Sequence, residues 1–396
     1  MELLITYLGK QFENPFVLAS GPPTANAEMI SRAFEAGWAG AVVKTLIREP
    51  VHNLQNRFAS IKSGKSIFAF ENIELLSEQP PDRWYQDIAI LKKRFPDKVV
   101  IASIMGDARS RDSWVELTLG CQDAGADILE LNFSCPHGYP EKGKGAAIGQ
   151  NAEYSASIVE WLKADGRIRI PLVPKLTAAV SDISFIGEAV SHAGADGICA
   201  INSFSSLMGI DLKTLRPKPS VNKLSTYGGY SGAGLKPIAL RCVSQLVKDP
   251  GLPVMGCGGI TTGYDAAEYI LIGAPIVQVC TEVMLKGYAI VTRMLDDLRS
   301  FMEDHRFSKI EDFIGLSNKN IRHFSELDNE DRMKAHIELE KCNGCQRCYV
   351  SCKDGAYQAI RMENDKALVL EDLCAGCSLC IQVCPMEAIS FVACEP

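Results

Sequence analysis

Residues 342–352 read CNGCQRCYVSC, and residues 374–385 read CAGCSLCIQVCP. Both runs carry cysteines at the spacing C-x2-C-x2-C-x3-C: Cys342, Cys345, Cys348 and Cys352, then Cys374, Cys377, Cys380 and Cys384. Three thiolates two residues apart wrap three irons of a cubane, and in a duplicated run the fourth reaches across to the other cluster. The spacing therefore predicts one [4Fe-4S] cluster on Cys342, Cys345, Cys348 and Cys384. It predicts a second on Cys374, Cys377, Cys380 and Cys352. Zinc is the alternative, but it takes separated C-x2-C pairs and leaves the third and fourth cysteines of each run without a task. A chain built this way moves electrons one at a time.

The duplication extends beyond the cysteines, since Tyr357-Gln358-Ala359-Ile360 echoes Met386-Glu387-Ala388-Ile389. Residues 334–396 are read as a small α+β domain of the bacterial two-cluster ferredoxin type. A domain of about 60 residues builds little core alone, so the clusters are expected to act as its cross-links. Residues 306–333 are polar and charge-rich apart from an apolar patch at Ile310–Leu316, and read as a connector packed along the preceding domain.

Residues 1–305 alternate short apolar runs with longer amphipathic stretches. The runs are Phe16–Ser20, Ala41–Thr45, Val99–Met105, Asp127–Ser134, Leu172–Leu176, Gly197–Ser203, Pro253–Gly259 and Ile276–Thr281. Continuous Val/Ile-rich segments mark parallel strands covered on both faces. Helical stretches lie between them at Ser113–Ala124, Ala152–Lys163, Ile183–Ala193 and Tyr264–Ile272, with start signals at Asp112 and Thr262. Gly-Ala-Asp closes a helix twice, at Gly125–Asp127 and Gly194–Asp196. Eight such strands predict a (β/α)8 barrel, with an open doubly wound sheet as the alternative. Leu4–Tyr7 and Gln11–Glu13 are expected to pair as a hairpin ahead of the first barrel strand.

The chain has 396 residues, 47% hydrophobic and 22% charged, enough apolar material for a large core. A net charge of −7 without a Lys/Arg block argues against nucleic acid. No charge-free apolar run is long enough to span a membrane. Met1-Glu2-Leu3-Leu4 lacks the layout of a signal peptide, and ligand thiols must stay reduced, so a cytoplasmic location is expected.

Barrel enzymes keep their chemistry at the carboxyl ends of the strands. There the sequence places Cys135, in Asn132-Phe133-Ser134-Cys135-Pro136-His137-Gly138, as an acid beside a Gly-rich lid at 138–149. Cys121, Cys199, Cys242 and Cys257 fit the plainer role of buried core cysteines. Lys44 and Lys175 each end an apolar strand, where a buried ammonium needs an anion or an electron-rich ring. Gly256–Ile260 and Thr281-Glu282 follow strands seven and eight, the usual phosphate cradle of barrels. Phosphate, electron-rich ring and one-electron clusters together point to flavin mononucleotide. No G-x-G-x-x-G fingerprint is present, so a pyridine nucleotide is expected on a partner.

Asn132–Gly138 (NFSCPHG), Glu71–Glu78 (ENIELLSE), Gly228–Leu240 (GGYSGAGLKPIAL) and the terminal cysteine module together resemble the dihydropyrimidine dehydrogenase family. The likeness is to the FMN and iron–sulfur subunit of its bacterial NAD-dependent two-subunit form. It runs over essentially the whole chain and implies a dihydroorotate dehydrogenase-like barrel. By this resemblance Ser20, Lys44, Lys175, Gly232, Gly258, Gly259, Cys280 and Thr281 hold FMN. Asn72, Glu74, Asn132, Asn202 and Ser203 read a pyrimidine, an asparagine suiting a ring with both donor and acceptor edges. The resemblance makes Cys135 the general acid. FMN would give hydride to C6 of uracil or thymine, and the thiol would protonate C5. A partner reductase subunit with FAD and NAD(P)H would feed the clusters, around a homodimeric barrel in a heterotetramer.

Two departures stand out: Ser203 where threonine is expected, and Leu176-Thr177-Ala178-Ala179 in place of Leu-Thr-Pro-Asn. Two other readings compete. One is the same machinery acting on another cyclic amide or on orotate, whose carboxylate would want a cation, and no further arginine is evident near the motif residues. The other is a non-catalytic electron-transfer module.

Overall fold

The structure, a computed structural model, describes residues 1–136, 143–328 and 332–393. Contacts divide the chain into two units, Met1–Asn320 and Ile321–Pro396. Among the described residues no helix is long and apolar enough to cross a membrane.

The first unit is a closed barrel of eight parallel strands in sequential order. They are β1 (Phe16–Leu18), β2 (Gly40–Val42), β3 (Val99–Ile104) and β4 (Ile128–Asn132). They continue with β5 (Leu172–Leu176), β6 (Ile198–Ala200), β7 (Val254–Cys257) and β8 (Ile276–Val279), which closes on β1. Each falls on one of the eight apolar runs of the sequence, β2 beginning one residue ahead of its run at Gly40. Their uninterrupted apolarity has its cause here, because helices cover the outer face and side chains fill the lumen.

Helix termini follow local chemistry. Asn26 caps Ala27–Ala36 by accepting from the Met29 amide, and Gly37 ends it in the left-handed region at φ 112. Asn151 and Asp182 cap Ala152–Lys163 and Ile183–His192 in the same way. Thr262 and Asp265 form a reciprocal capping box on Gly263–Leu271. The start signal at Asp112 is displaced: the helix spans Arg111–Asp123 with Ser110 at its N-cap. Asp112 lies inside the first turn, where a carboxylate still suits the helix dipole.

The repeated Gly-Ala-Asp has a single physical role. Gly125 and Gly194 adopt φ of 95 and 97, which ends each helix. Asp127 then accepts from the Val100 amide and Lys92 at 2.9 and 2.8 Å. Asp196 accepts from the Leu172 amide and Lys163 at 2.7 and 2.6 Å. Each aspartate thus pins the entry of its own strand to the strand before it.

The hairpin Ile5–Tyr7 with Lys10–Phe12 forms as expected, and Phe12 is fully buried. Residues 306–320 belong to the barrel unit, where Ile310 and Phe313 enter the main core. One element has no counterpart in the sequence reading. Phe58–Ser63, Ser66–Asn72, Gly228–Ser231 and Phe204–Ser206 build a four-stranded antiparallel sheet from the segments after β2 and β6. It places Phe70, Asn72 and Gly232 at the barrel mouth.

The second unit repeats one motif twice. Met333–Ile337 pairs with Ile389–Ala393, and Ile360–Glu363 pairs with Lys366–Val369. Helices Arg347–Gly355 and Leu379–Val383 begin within the two cysteine runs, the first carrying Cys348 and Cys352 and the second Cys380. Gly344 and Gly376 hold equivalent left-handed turns, φ 69 and 66, and a side chain at either would strike a backbone carbonyl at 2.2 or 2.3 Å.

Candidate active site

The carboxyl ends of the strands open into a cleft enclosing about 1120 Å³, its open mouth included. Every barrel residue expected to act on cofactor or substrate lines it. Ser20 follows β1, Lys44 follows β2, and Asn132 ends β4 with Cys135 just beyond. Lys175 lies in β5, and Asn202 and Ser203 follow β6. Gly258 and Gly259 follow β7, and Cys280 and Thr281 follow β8. Asn72, Glu74 and Gly232 reach it from the sheet and its edges. His137 and Gly138 of the cysteine motif, and lid residues as far as 142, lie outside the described residues. From Gly145 onward the lid segment folds back: the Ala146 amide donates to the Cys135 carbonyl, and the Gly149 amide to that of Phe133.

The two lysines are compensated differently. Lys44 bonds the Glu74 Oε1, and Arg57 Nε donates to its Oε2 at 2.7 Å. An arginine therefore does stand beside the motif residues, contrary to the sequence reading, because the sheet carries residue 57 to the mouth. Lys175 Nζ donates to Gln278 Oε1 at 2.8 Å and lies 3.5 Å from Glu130 Oε2. Gln278 Nε2 donates to that same Glu130 oxygen at 3.0 Å. Burial disfavours the Lys175 charge, but coulombic attraction from the acidic groups around it outweighs this and holds its pKa above the ordinary lysine range. Burial pushes the Cys280 thiol up to about 12 and raises Cys257 and Cys199 as well. Cys121, Cys199 and Cys242 are buried as the sequence implied, whereas Cys257 lines the cleft, at the end of β7.

Buried hydroxyls fix the asparagines. Asn132 Nδ2 donates to Thr45 Oγ1 at 3.0 Å, and its Oδ1 accepts from the Ser134 amide and hydroxyl. Asn202 Nδ2 donates to Ser134 Oγ at 3.0 Å, and its Oδ1 accepts from the Ser203 amide and hydroxyl. Both amide oxygens are thus turned onto protein donors. These bonds leave one N–H of each side chain unengaged. Thr45 in turn meets Ser103 at 2.9 Å and Ser20 at 3.1 Å. The sequence reading missed Thr45, Ser103 and Ser134 in these roles. It also missed Glu130 and Gln278, although a lone charged or amide residue inside ILELN and IVQV was a visible signal.

The glycine turn after β7 could hold an anion. Gly258 and Gly259 adopt φ of 130 and 71, and a Cβ at Gly259 would lie 2.5 Å from the Lys236 backbone nitrogen. Beneath them Asp265 Oδ2 gathers the Thr261 and Thr262 amides at 2.8 and 2.9 Å and braces the loop. Thr281 Oγ1 donates to Ser231 Oγ at 2.9 Å, tying the loop after β8 to the sheet.

In the second unit the cysteines gather in two groups. Cys352, Cys374, Cys377 and Cys380 line one cavity of about 360 Å³. Cys342, Cys345, Cys348 and Cys384 line another of about 330 Å³. Among the described residues no three cysteine, histidine or acidic side chains converge as ligands of one ion would. Four thiols around a space of this size suit a polynuclear cluster better than zinc. The Ala359 amide donates to Cys352 Sγ at 3.2 Å and the Ala388 amide to Cys384 Sγ at 3.4 Å, which gives the echoed Ala-Ile its meaning.

Comparison with known proteins matches residues 2–302 to the dihydroorotate dehydrogenase family model. It matches residues 335–391 to a 4Fe-4S dicluster domain. The NAD-dependent dihydropyrimidine dehydrogenase subunit PreA of Escherichia coli (strain K12) is 38% identical over 98% of this chain and 95% of its own. The chain belongs to the dihydropyrimidine dehydrogenase family. It is an oxidoreductase of that type. A second member of the dihydropyrimidine dehydrogenase family, the chloroplastic NADP(+) enzyme of Arabidopsis thaliana, is 39% identical over 86% of this chain and 82% of its own. The barrel fold also matches the crystal structure of DHODH in complex with ferulenol from Eimeria tenella. That match has a TM-score of 0.64 at 23% identity, covering 80% of this chain and 89% of that one.

Proposed function

We propose that the protein saturates the 5,6 double bond of uracil or thymine, taking electrons through two [4Fe-4S] clusters. One observation carries this reading: a thiol, two lysines, two amide donors and a glycine anion cradle converge in one cleft. The residues fit FMN. The amides of Gly258 and Gly259 would take its phosphate, Lys44 and Lys175 would flank its ring, and Ser20, Gly232, Cys280 and Thr281 would complete its binding. When bound, FMN supplies the hydride that reaches C6.

The rest falls to side chains of the chain itself. Asn132 and Asn202, each with one free N–H, donate to the carbonyl oxygens of the base. Asn72, Glu74 and Ser203 complete the reading of the ring. Cys135 holds the proton that C5 takes up, which balances the hydride and saturates the bond. Phe70 and the sheet around it limit water at the mouth. Glu74 occupies both Lys44 and Arg57. The Glu74 carboxylate thus already offsets charge at these cations, which favours a neutral base over orotate. Cys342, Cys345, Cys348 and Cys384 would bind one cluster and Cys374, Cys377, Cys380 and Cys352 the other. The name of the PreA relative, a subunit of an NAD-dependent enzyme, supports a partner that carries FAD and the NAD(P)H site.

The test is an anaerobic titration of the purified holoprotein with uracil, thymine and orotate, followed by flavin absorbance. Uracil or thymine should perturb the spectrum and reoxidise the reduced flavin, and orotate should not. Protein that takes up no FMN, or reduced flavin indifferent to every base, would overturn the reading.

A further inference from the structure

Three polar side chains from three strands meet inside the barrel, in a space that barrels normally fill with branched apolar residues. Glu130 comes from β4, Lys175 from β5 and Gln278 from β8. Gln278 lies across the lumen from the other two, since β8 adjoins β7 and β1 in the closed order. The side chains of Lys175 and Glu130 are 5% and 1% exposed. Burying such groups is costly unless something requires them. A core of leucine and valine would be simpler to build.

The arrangement is also incompletely balanced. Glu130 Oε2 receives the Gln278 amide at 3.0 Å and faces the ammonium at 3.5 Å. Its Oε1 is buried and meets no nitrogen or oxygen donor among the described residues, only the Cys199 thiol bonding the same side chain. Glu74, opposite Lys44, is held by cations on both oxygens, whereas Glu130 meets one cation on one side. The other groups facing Lys175 are the thiols of Cys257, Cys199 and Cys280. Burial raises all three, which keeps them neutral. Glu130 is therefore the acid set against Lys175, and all three members of the chain line the cleft.

We infer that Glu130, linked through Gln278, is a positioning residue that sets how much of the Lys175 charge reaches the bound flavin ring. This rests on the FMN reading given above. An ammonium beside the ring favours added negative charge and so makes the reduced ring hold its electrons. A carboxylate behind that ammonium opposes the effect and keeps the ring ready to release hydride. Gln278 divides its amide between the two charges and stops the ammonium from collapsing onto the carboxylate.

The experiment compares FMN-loaded wild type with Glu130→Gln, Glu130→Asp and Gln278→Leu, reading the flavin midpoint potential and the affinity for sulfite. Sulfite is a suitable reporter because its lone pair forms a bond to the oxidised ring, which takes up the negative charge. Glu130→Gln should bind sulfite at least tenfold tighter and raise the potential by about 30 mV or more, tenfold in a two-electron equilibrium. Glu130→Asp, which keeps the charge, should stay within about threefold of wild type. Gln278→Leu lets the ammonium lean toward Glu130 and should weaken sulfite binding several-fold, the opposite sign. Loss of packing alone would not produce opposite signs from neighbouring substitutions. Unchanged sulfite affinity and potential in Glu130→Gln overturns the inference. If that variant does not fold, a Gln278→Leu protein with unchanged or tighter sulfite binding overturns it. Wild-type protein that binds no FMN overturns the flavin reading instead, so the two failures are distinct.

Discussion

Each cavity of the cluster unit draws three of its cysteines from one seven-residue stretch, whereas the barrel cleft gathers residues from Ser20 to Thr281. In the first case a spacing rule is almost a geometric statement, since a short loop cannot carry three thiols far apart. In the second the spacing says nothing, and only the topology of eight strands makes distant residues neighbours. Local sites can be read from the chain directly, and assembled sites only once the fold is known.

The sharpest way to break this contrast is at its exception, the fourth cysteine of each run. Cys352 lines the cavity of Cys374, Cys377 and Cys380, away from its own run. Cys352→Ala combined with Cys374→Ala should therefore cost one cluster, about four of about eight irons per chain, and abolish electron delivery. Cys352→Ala with Cys342→Ala should cost both. Iron analysis of anaerobic protein with Mössbauer spectra separates the two outcomes, and the reverse pattern, both clusters lost with Cys374→Ala and one with Cys342→Ala, would restore strictly local pairing.

The barrel side is tested next at Cys135. Cys135→Ala should retain flavin and lose on the order of 10²–10⁴ in kcat, the usual worth of a positioned proton donor. Unchanged turnover would remove the thiol from the chemistry. A smaller effect is expected at the anion cradle. Gly259→Ala forces a Cβ into left-handed backbone and toward Lys236, which should cost about 1–2 kcal/mol. Thermal melts with and without FMN measure it, and the loss should be larger in the loaded protein.

The smallest effect concerns pH. Burial raises the Asp265 pKa, but Lys236 and Thr261 more than offset it and hold the group below its ordinary value. A depressed carboxyl contributes stability above its unfolded pKa of about 3.9 and loses it as pH falls through the folded value. FMN retention should accordingly be insensitive to Asp265 from pH 5 to 8 and weaken only in stronger acid. Asp265→Asn should cost about 1 kcal/mol near neutrality, as caps do, and flatten that acid limb. Melting curves across pH for the two proteins decide it.

Much of the fold was legible in advance, for reasons particular to each element. The barrel strands announced themselves because covered parallel strands are apolar throughout, and Thr262 with Asp265 marked a helix start unaided. The sheet over the mouth did not. Its strands come from two segments more than a hundred residues apart, and Phe58–Ser63 is largely exposed and lacks an apolar face. Arg57 was invisible as a neighbour of Glu74 for the same reason. Glu130 and Gln278 were visible as anomalies, but which lysine they faced depended on barrel closure. The orientation of Asn132 and Asn202 depended on hydroxyls whose positions no spacing encodes.

The exchange of fourth cysteines has a consequence for how such a module could arise. Each cavity is completed by a residue from the other half, so one half alone holds three thiols and a gap. A half-length ancestor would have been whole only as a pair of identical chains trading one cysteine each. In the single chain neither half can be deleted, or replaced by an unrelated segment, without dismantling the site nominally belonging to its twin.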